Sequence, residues 1–132
     1  MSLSQEERNI MIQLEIERSN KMMAEFPIYI ANKLWSTLVN RMYYAVFHAA
    51  TALLIKHSLH ASTHQGLYVL LSKYFVKTGV LSNEEGRLFA RLETMREKSD
   101  YNCYLESEAD EVMPLLEPTK ELIFHLNELS KK

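Results

Sequence analysis

Cysteine, glycine and proline are all scarce in this chain of 132 residues. The single cysteine, Cys103, cannot form an internal disulfide or complete a thiolate metal site, which is typical of a protein from a reducing cytoplasm. Three glycines and three prolines leave long uninterrupted stretches, and these lack the alternating pattern of half-buried strands. The absences predict an all-α fold and a cytoplasmic protein.

An excess of basic charge is also absent, because 15 Lys and Arg face 17 Asp and Glu for a formal net charge of -2. No overall field would draw such a chain to nucleic acid or a membrane, so any contact with RNA must be local. Residues 1–18 lack the apolar core of a secretory signal, and the most apolar run, residues 42–55, is shorter than the ~20 residues of a membrane span. We expect no membrane partner and a single domain over residues 1–132.

Capping signals mark the starts of four of the five helices that we predict. Each signal pairs a serine with an acidic or amide residue three positions later: Ser4 with Glu7, Ser62 with Gln65, Ser82 with Glu85, and Ser107 with Asp110. Pro27 is expected to end the first helix near Glu25 and to precede a second helix over residues 28–56. Gly79 should close the third helix, and the fourth should end near Asp100.

The fifth predicted helix contains two prolines, Pro114 and Pro118. An interior proline removes a backbone hydrogen bond and clashes with the preceding turn, so both are expected to kink this helix.

A narrow polar stripe follows the predicted second helix between two apolar faces, and it comprises Thr37, Arg41, Tyr44, His48 and Thr51. The stripe is either a hydrogen-bond network at the edge of the core or a site for an anion or a partner. A small bundle can cover one apolar face with its own helices and leave the other for a second copy, so we also expect a homodimer.

On the fourth helix, Arg96 lies at the border of the apolar stripe, between Leu92 and Phe89. A guanidinium is expensive there unless it has partners, and Glu93 and Asp100 are the natural ones. In contrast, the other basic residues of this helix project together on one side, where we expect a solvated face: Arg87, Arg91 and Lys98.

Three histidines, His57, His60 and His64, surround the predicted loop after the second helix with spacings that could hold zinc. No carboxylate or thiol accompanies them, so capping and packing are expected rather than a metal site. No glycine-rich phosphate loop and no Ser–His–Asp order is present, and we expect no cofactor.

Four segments taken in order, NRMYYAVFHAA at 40–50, ALL at 52–54, THQG at 63–66 and REKSDY at 96–101, resemble the HEPN domain (higher eukaryotes and prokaryotes nucleotide-binding). The resemblance extends over about residues 5–128. It implies an up-and-down bundle of about five helices that pairs into a homodimer. The stripe of the second helix and the end of the fourth would then face a cleft between protomers.

The resemblance also implies a partner, because such proteins are often encoded beside a minimal nucleotidyltransferase as a toxin–antitoxin pair. The HEPN member of the pair is an RNase or a nucleotide-binding protein. The RNase motif of the family is an arginine followed, after four to six residues, by a histidine. Arg96 matches the arginine, but the positions for the histidine hold Tyr101, Asn102 and Cys103. Tyrosine, with an ordinary pKa near ~10, is a poor base at neutral pH.

The resemblance therefore predicts a nucleotide- or RNA-binding module rather than an efficient enzyme. In this reading Arg96 clamps a phosphate, Asp100 orients it, and Tyr101 and Asn102 supply hydrogen bonds or a stacking surface. These side chains converge only if the chain turns near Asp100, because residues five apart on a continuing helix diverge by roughly 140°. A tyrosine near the motif accepts a nucleotidyl group in some family pairs, and Tyr104 is displaced by one from that position.

Two alternatives stay open. The first is a weak metal-independent endoribonuclease toxin that uses Arg96, with His48 supplying the missing base if Arg41, Tyr44, His48 and the Arg96 end of the fourth helix form one cleft. The second is a helical interaction protein without a nucleotide role.

Overall fold

The computed structural model describes residues 3–101 and 106–131, and within these ranges every regular element is helical. The helices are α1 (Gln5–Ala31), α2 (Trp35–Lys56), α3 (His64–Leu71), α4 (Asn83–Tyr101), α5 (Ala109–Val112) and α6 (Leu116–Lys131). A π-helical turn, Ser72–Val76, continues α3, and a 3₁₀ turn, Met113–Leu115, joins α5 to α6. The predicted all-α bundle is confirmed. Asn102, Cys103 and Tyr104 lie outside the described residues.

Helix α2 forms the centre of the bundle and contacts α1, α4 and α6. It is long and apolar enough to cross a membrane, but 61% of its most apolar window is buried inside the protein, as in the core helix of a bundle. Ala45, Ala49 and Ala52 are fully buried, and their small side chains allow α1 to pack closely. The hydroxyl of Ser19 on α1 donates a hydrogen bond of 2.8 Å to the carbonyl of Ala45, which joins the two helices directly.

Two of the predicted capping signals form as expected. Ser4 and Glu7 exchange reciprocal bonds at the start of α1, and Ser82 and Glu85 do the same before α4. Each pair satisfies two backbone N–H groups that the helix itself leaves unpaired.

The other two capping predictions are wrong. Thr63, rather than Ser62, caps α3, because its extended backbone lets the hydroxyl accept the N–H of Gly66 at 2.8 Å. At Ser107 the backbone N–H instead donates to the hydroxyl of Ser36 on α2 at 2.9 Å, and α5 begins two residues later. A tertiary contact replaces the local cap there.

The predicted break at Pro27 is also wrong, since α1 continues to Ala31. The turn that contains Pro27 buries Phe26 completely and packs Tyr29 and Ile30 on the core. Burial of a large apolar side chain contributes roughly 1.5–3 kcal/mol, so these contacts offset the ~3 kcal/mol cost of an interior proline.

The actual break between the first two helices is a C-terminal cap. Lys33 adopts the left-handed conformation with φ 54°, and the N–H of Leu34 donates to the carbonyl of Tyr29 at 2.9 Å. This pattern closes a helix and is usually signalled by glycine, so a lysine gave no sequence signal for it.

The last predicted helix is interrupted at Pro114, which lies in the 3₁₀ turn between α5 and α6. Pro118 falls in the first turn of α6 and causes no further break, because an N–H in that turn has no partner within the helix.

Candidate functional site

The guanidinium of Arg96 is buried against the aromatic side chains of α2, and the residue is only 7% exposed. Its Nη1 donates to Asp100 Oδ2 at 3.0 Å, and its Nη2 lies 3.7 Å from Glu97 Oε1. The central carbon is 4.8 Å from the ring centroid of Tyr43 and 5.8 Å from that of Tyr44. Of the two carboxylates expected beside Arg96, Asp100 is therefore its partner.

The environment keeps Arg96 charged. Burial alone would lower the pKa of its guanidinium, but the contacts with Tyr44, Asp100 and Tyr43 outweigh burial and raise that pKa above its ordinary value. The side chain is therefore a cation that the protein holds against two tyrosine rings.

Tyr43 lies directly beneath Arg96 and connects it to α3. Its ring is fully buried and stacks on Phe89 with a centroid distance of 5.5 Å, and its hydroxyl forms a 2.7 Å hydrogen bond with Nδ1 of His64. Burial raises the pKa of Tyr43, which excludes it as a base near neutral pH. Sequence reasoning missed both residues as members of this cluster, because Tyr43 is outside the polar stripe and His64 was expected only to cap or pack.

Two guanidinium nitrogens in this part of the molecule are buried without a hydrogen-bond partner among the described residues: Arg41 Nε and Arg96 Nε. Arg41 precedes Tyr44 by three residues on α2, so the two share a face of that helix. Buried N–H groups are nearly always paired in folded proteins, and these two donors are exceptions that require an explanation.

His48 belongs to a second cluster, which it forms with α1. Its Nδ1 lies 2.7 Å from Glu15 Oε2, while the other oxygen of that carboxylate accepts from Arg18 Nη1 at 2.9 Å. Both side chains of the His48–Glu15 pair are mostly buried, with 17% and 14% exposed. Within the stripe predicted for α2, His48 and Tyr44 contact side chains of neighbouring helices, whereas Thr51 donates to the carbonyl of Phe47 on α2 itself.

The two clusters meet at Phe47 and His64. The ring of Phe47 contacts His48 at 5.5 Å and His64 at 4.9 Å, and Tyr44 contacts His64 at 5.8 Å. No hydrogen bond or ring contact joins Arg96 to His48 within the described part of a single chain. The structure therefore unites Arg96, Tyr44 and Asp100, and it sets His48 in an adjoining groove.

The remaining predicted residues do not join either cluster. Tyr101 is still helical and is 84% exposed, so the chain does not turn at Asp100 to bring its ring back to Arg96. Asn102 and Tyr104 lie outside the described residues. His57 packs edge-on against Phe75, and the described residues contain no group of three potential ligands that could hold a metal ion.

Comparison with known proteins decides the family. The model of the HEPN domain matches residues 12–129. This chain belongs to the HEPN family. It is similar to "Putative toxin MJ0605" of Methanocaldococcus jannaschii, with 34% identity over 104 residues that cover 77% of this chain and 78% of that protein. It is also similar to a "UPF0332 protein" of Thermotoga maritima, with 30% identity over 106 residues that cover 80% of each chain.

A further relative in Methanocaldococcus jannaschii, "Putative toxin MJ0142", is 26% identical over 101 residues, or 76% of this chain and 69% of its own length. Family membership confirms the resemblance read from the four sequence segments and the helical architecture that it implied. It places the stripe of α2 and the C-terminal half of α4, which carries Arg96, within the region shared by the HEPN family.

Proposed function

We propose that this HEPN chain is a nucleotide- or RNA-binding module that acts in the cytoplasm as the partner of a minimal nucleotidyltransferase in a toxin–antitoxin pair. The observation that carries the proposal is the placement of Arg96, a buried cation on two tyrosine rings whose Nε has no hydrogen-bond partner among residues 3–101 and 106–131. The names of two relatives as toxins support the biological setting.

The energetics of Arg96 favour recognition over a structural role. Burying a guanidinium costs several kcal/mol, and an apolar residue of similar volume usually serves stability equally well or better. A bundle without a ligand would gain little from Arg41 and Arg96, each of which buries an Nε without an acceptor among the described residues. A phosphate group supplies acceptor oxygens for the remaining N–H groups of such a guanidinium.

A homodimer belongs to the same proposal. The polar stripe of α2 lies between α1 on one side and α3 with α4 on the other, since His48 contacts Glu15 while Tyr44 contacts His64 and Arg96. A second copy seated over this stripe would complete a cleft lined by both chains. Light scattering at tens of micromolar tests this point, and a strictly monomeric mass would refute it.

Residual endoribonuclease activity is the second candidate function. The observation that favours it is the 2.7 Å contact between His48 and Glu15, because a carboxylate partner fixes the ring orientation that a general base needs. In such an enzyme Arg96 would stabilise the charge that develops on phosphate.

The experiment for binding compares Arg96→Met with Arg91→Met, a matched change of an exposed arginine on the same helix. RNA and nucleotide affinity should fall in the first variant and stay unchanged in the second. Equal affinity in both variants would refute a recognition role for Arg96.

Partnership and activity need separate assays. Co-expression with the nucleotidyltransferase encoded beside this chain should give one complex at micromolar concentration, and separate elution would contradict the partnership. Structured RNA incubated with the wild type and with Arg96→Ala tests the enzyme, and identical background cleavage by both would eliminate it.

A further inference from the structure

Helix α1 carries a second series of regularly spaced residues on the face opposite its contact with the core. Its buried residues are Ile12, Ile16, Ser19 and Phe26, and the first three of them pack on or bind α2. The second series lies two positions before the buried one, and its spacings alternate between four and three residues: Ile10, Leu14, Glu17, Lys21, Ala24 and Ile28. At roughly 100° per residue the two series lie on opposite sides of the helix. The second series is called the outer seam below.

The outer seam is open to solvent along its whole length, because all six of its residues are exposed in the single chain. Ile10, Leu14 and Ile28 have 54%, 47% and 59% of their surface exposed. The helices of a bundle usually place polar residues on the face that points away from the core. Apolar residues at both ends of a series with heptad spacing are instead typical of a face that pairs with another helix.

The middle of the outer seam carries one charge of each sign, at Glu17 and Lys21. Glu17 accepts a 3.2 Å hydrogen bond from the neutral side chain of Gln13. Within residues 3–101 and 106–131, neither Glu17 nor Lys21 forms an ion pair. Both charges are therefore available to a group of opposite sign on another molecule.

The outer seam is complementary to itself when a second α1 runs beside it in the opposite direction. With the twofold axis at the level of residue 19, Ile10 lies opposite Ile28 of the second copy, and Leu14 lies opposite Ala24 of the second copy. The two central layers then each join a Glu17 to a Lys21.

Other arrangements of two outer seams are less favourable. A parallel pair in register would place Glu17 against Glu17 and Lys21 against Lys21, and like charges in contact repel. An antiparallel pair shifted by one heptad would set Lys21 against the apolar side chain of Ile10, where its charge has no partner.

We propose that α1 is a self-association surface on which a second copy of this chain binds by antiparallel pairing of the two outer seams. The contact would extend over residues 10–28, or about 27 Å at 1.5 Å per residue. A second copy is the occupant because the order of apolar, acidic and basic residues matches its own reverse. The outer seam faces away from α2, so this contact is separate from the cleft over the stripe of α2 and does not depend on nucleotide binding.

Two charge reversals, Glu17→Lys and Lys21→Glu, test the proposal, and both positions are exposed, so both variants should fold normally. Each variant alone places like charges in both central layers. Self-association should weaken roughly tenfold, and sedimentation at tens of micromolar should show a smaller assembly than that of the wild type. An equimolar mixture of the two variants should restore the assembly, because every lysine of one chain then faces a glutamate of the other.

Matched controls apply the same charge changes to other exposed helical positions: Glu121→Lys on α6 and Lys98→Glu on α4. Neither control should change the size of the assembly. One size for the wild type and both outer-seam variants would overturn the proposal, and so would smaller assemblies that do not recover on mixing. None of these measurements involves RNA or a nucleotide, so such a result would leave the proposed function intact.

Disulfide cross-linking checks the direction of the two helices. The single cysteine is first replaced by Cys103→Ser, and Ile10→Cys and Ile28→Cys are then made in separate chains. A mixture of the two chains should form a cross-linked dimer, whereas neither chain alone should do so. Cross-links within either chain alone would indicate a parallel pair, and those or an absence of cross-links in the mixture would overturn the antiparallel contact.

Discussion

Arg96 takes its carboxylate partner from its own helix, four residues away, whereas His48 takes Glu15 from another helix, 33 residues earlier in the sequence. The first pair can form wherever α4 is helical, and Asp100 is partly open to solvent. The second exists only while α1 and α2 are packed together. The same type of polar contact is therefore local in one cluster and a product of tertiary structure in the other.

The largest expected effect separates the two tyrosines that face Arg96. Tyr43→Ala should lower the free energy of unfolding by about 3–5 kcal/mol, because it removes a fully buried ring that packs on Phe89, His64 and Arg96. Tyr44→Ala, at a half-buried position, should lower the free energy of unfolding by less than half as much. Urea denaturation measures both free energies, and equal losses would show that the ring of Tyr43 contributes no more to stability than the ring of Tyr44.

A second change asks whether the Arg96 cluster is built for stability. Arg96→Met should leave the free energy of unfolding unchanged or raise it by roughly 1–4 kcal/mol, because an apolar chain avoids the cost of burying the cation. Arg96→Ala should be less stable than Arg96→Met, since it leaves a void beside Tyr43. A marked loss of stability in Arg96→Met would instead assign the arginine a structural role.

Double-mutant cycles measure the contrast between the two carboxylate pairs. The coupling between Glu15 and His48, both mostly buried, should be about 1 kcal/mol. The coupling between Arg96 and Asp100 should stay near 0.3–0.5 kcal/mol, as is usual for a pair four residues apart on one helix with an exposed member. Couplings of equal size would remove the distinction between local and tertiary contacts.

The smallest effect concerns pH and a third carboxylate, Glu85, which also contacts a histidine. Burial raises the pKa of Glu85, but the N–H of Ser82 and the contact with His125 lower it further, so the net pKa falls below the ordinary value of 4.5. A carboxyl group whose pKa is lowered by folding stabilises the fold at pH values above its ordinary pKa. This contribution is lost as the pH falls through the lowered pKa.

Glu85→Gln should therefore cost a few tenths of a kcal/mol at neutral pH, since glutamine can still form the capping box. The difference from the wild type should disappear as the pH falls below 4.5, the ordinary pKa. Unfolding curves at several pH values check this, and a difference that grows in acid would contradict the assignment.

What could be predicted from the sequence follows the same division between local and tertiary contacts. The caps at Ser4 and Ser82 and the pairing of Arg96 with Asp100 depend on residues within one turn, and these predictions are confirmed. The continuation of α1 through Pro27 depends on contacts with the rest of the core, so spacing along the chain could not show it.

For the candidate site, the polar stripe on α2 was visible as a pattern, but its partners were not. Glu15 is 33 residues from His48, and His64 is 21 residues from Tyr43. The periodicity of a single helix gives no information about contacts between residues that lie so far apart in the sequence. The signal that would have drawn attention to His64 was the THQG segment of the family resemblance.

The alanines of α2 have a consequence for the contact between Glu15 and His48. Ala52 packs against Ile12 and Ile16, on the stretch of α1 that also carries Glu15, and Ser19 binds the backbone at Ala45. The 2.7 Å between Glu15 and His48 is thus set by the gap that these methyl groups leave between two helix axes. A bulkier apolar side chain at position 52 would push α1 outward and release the imidazole. In this bundle, the partner and the ring orientation of a histidine are governed by interhelical spacing.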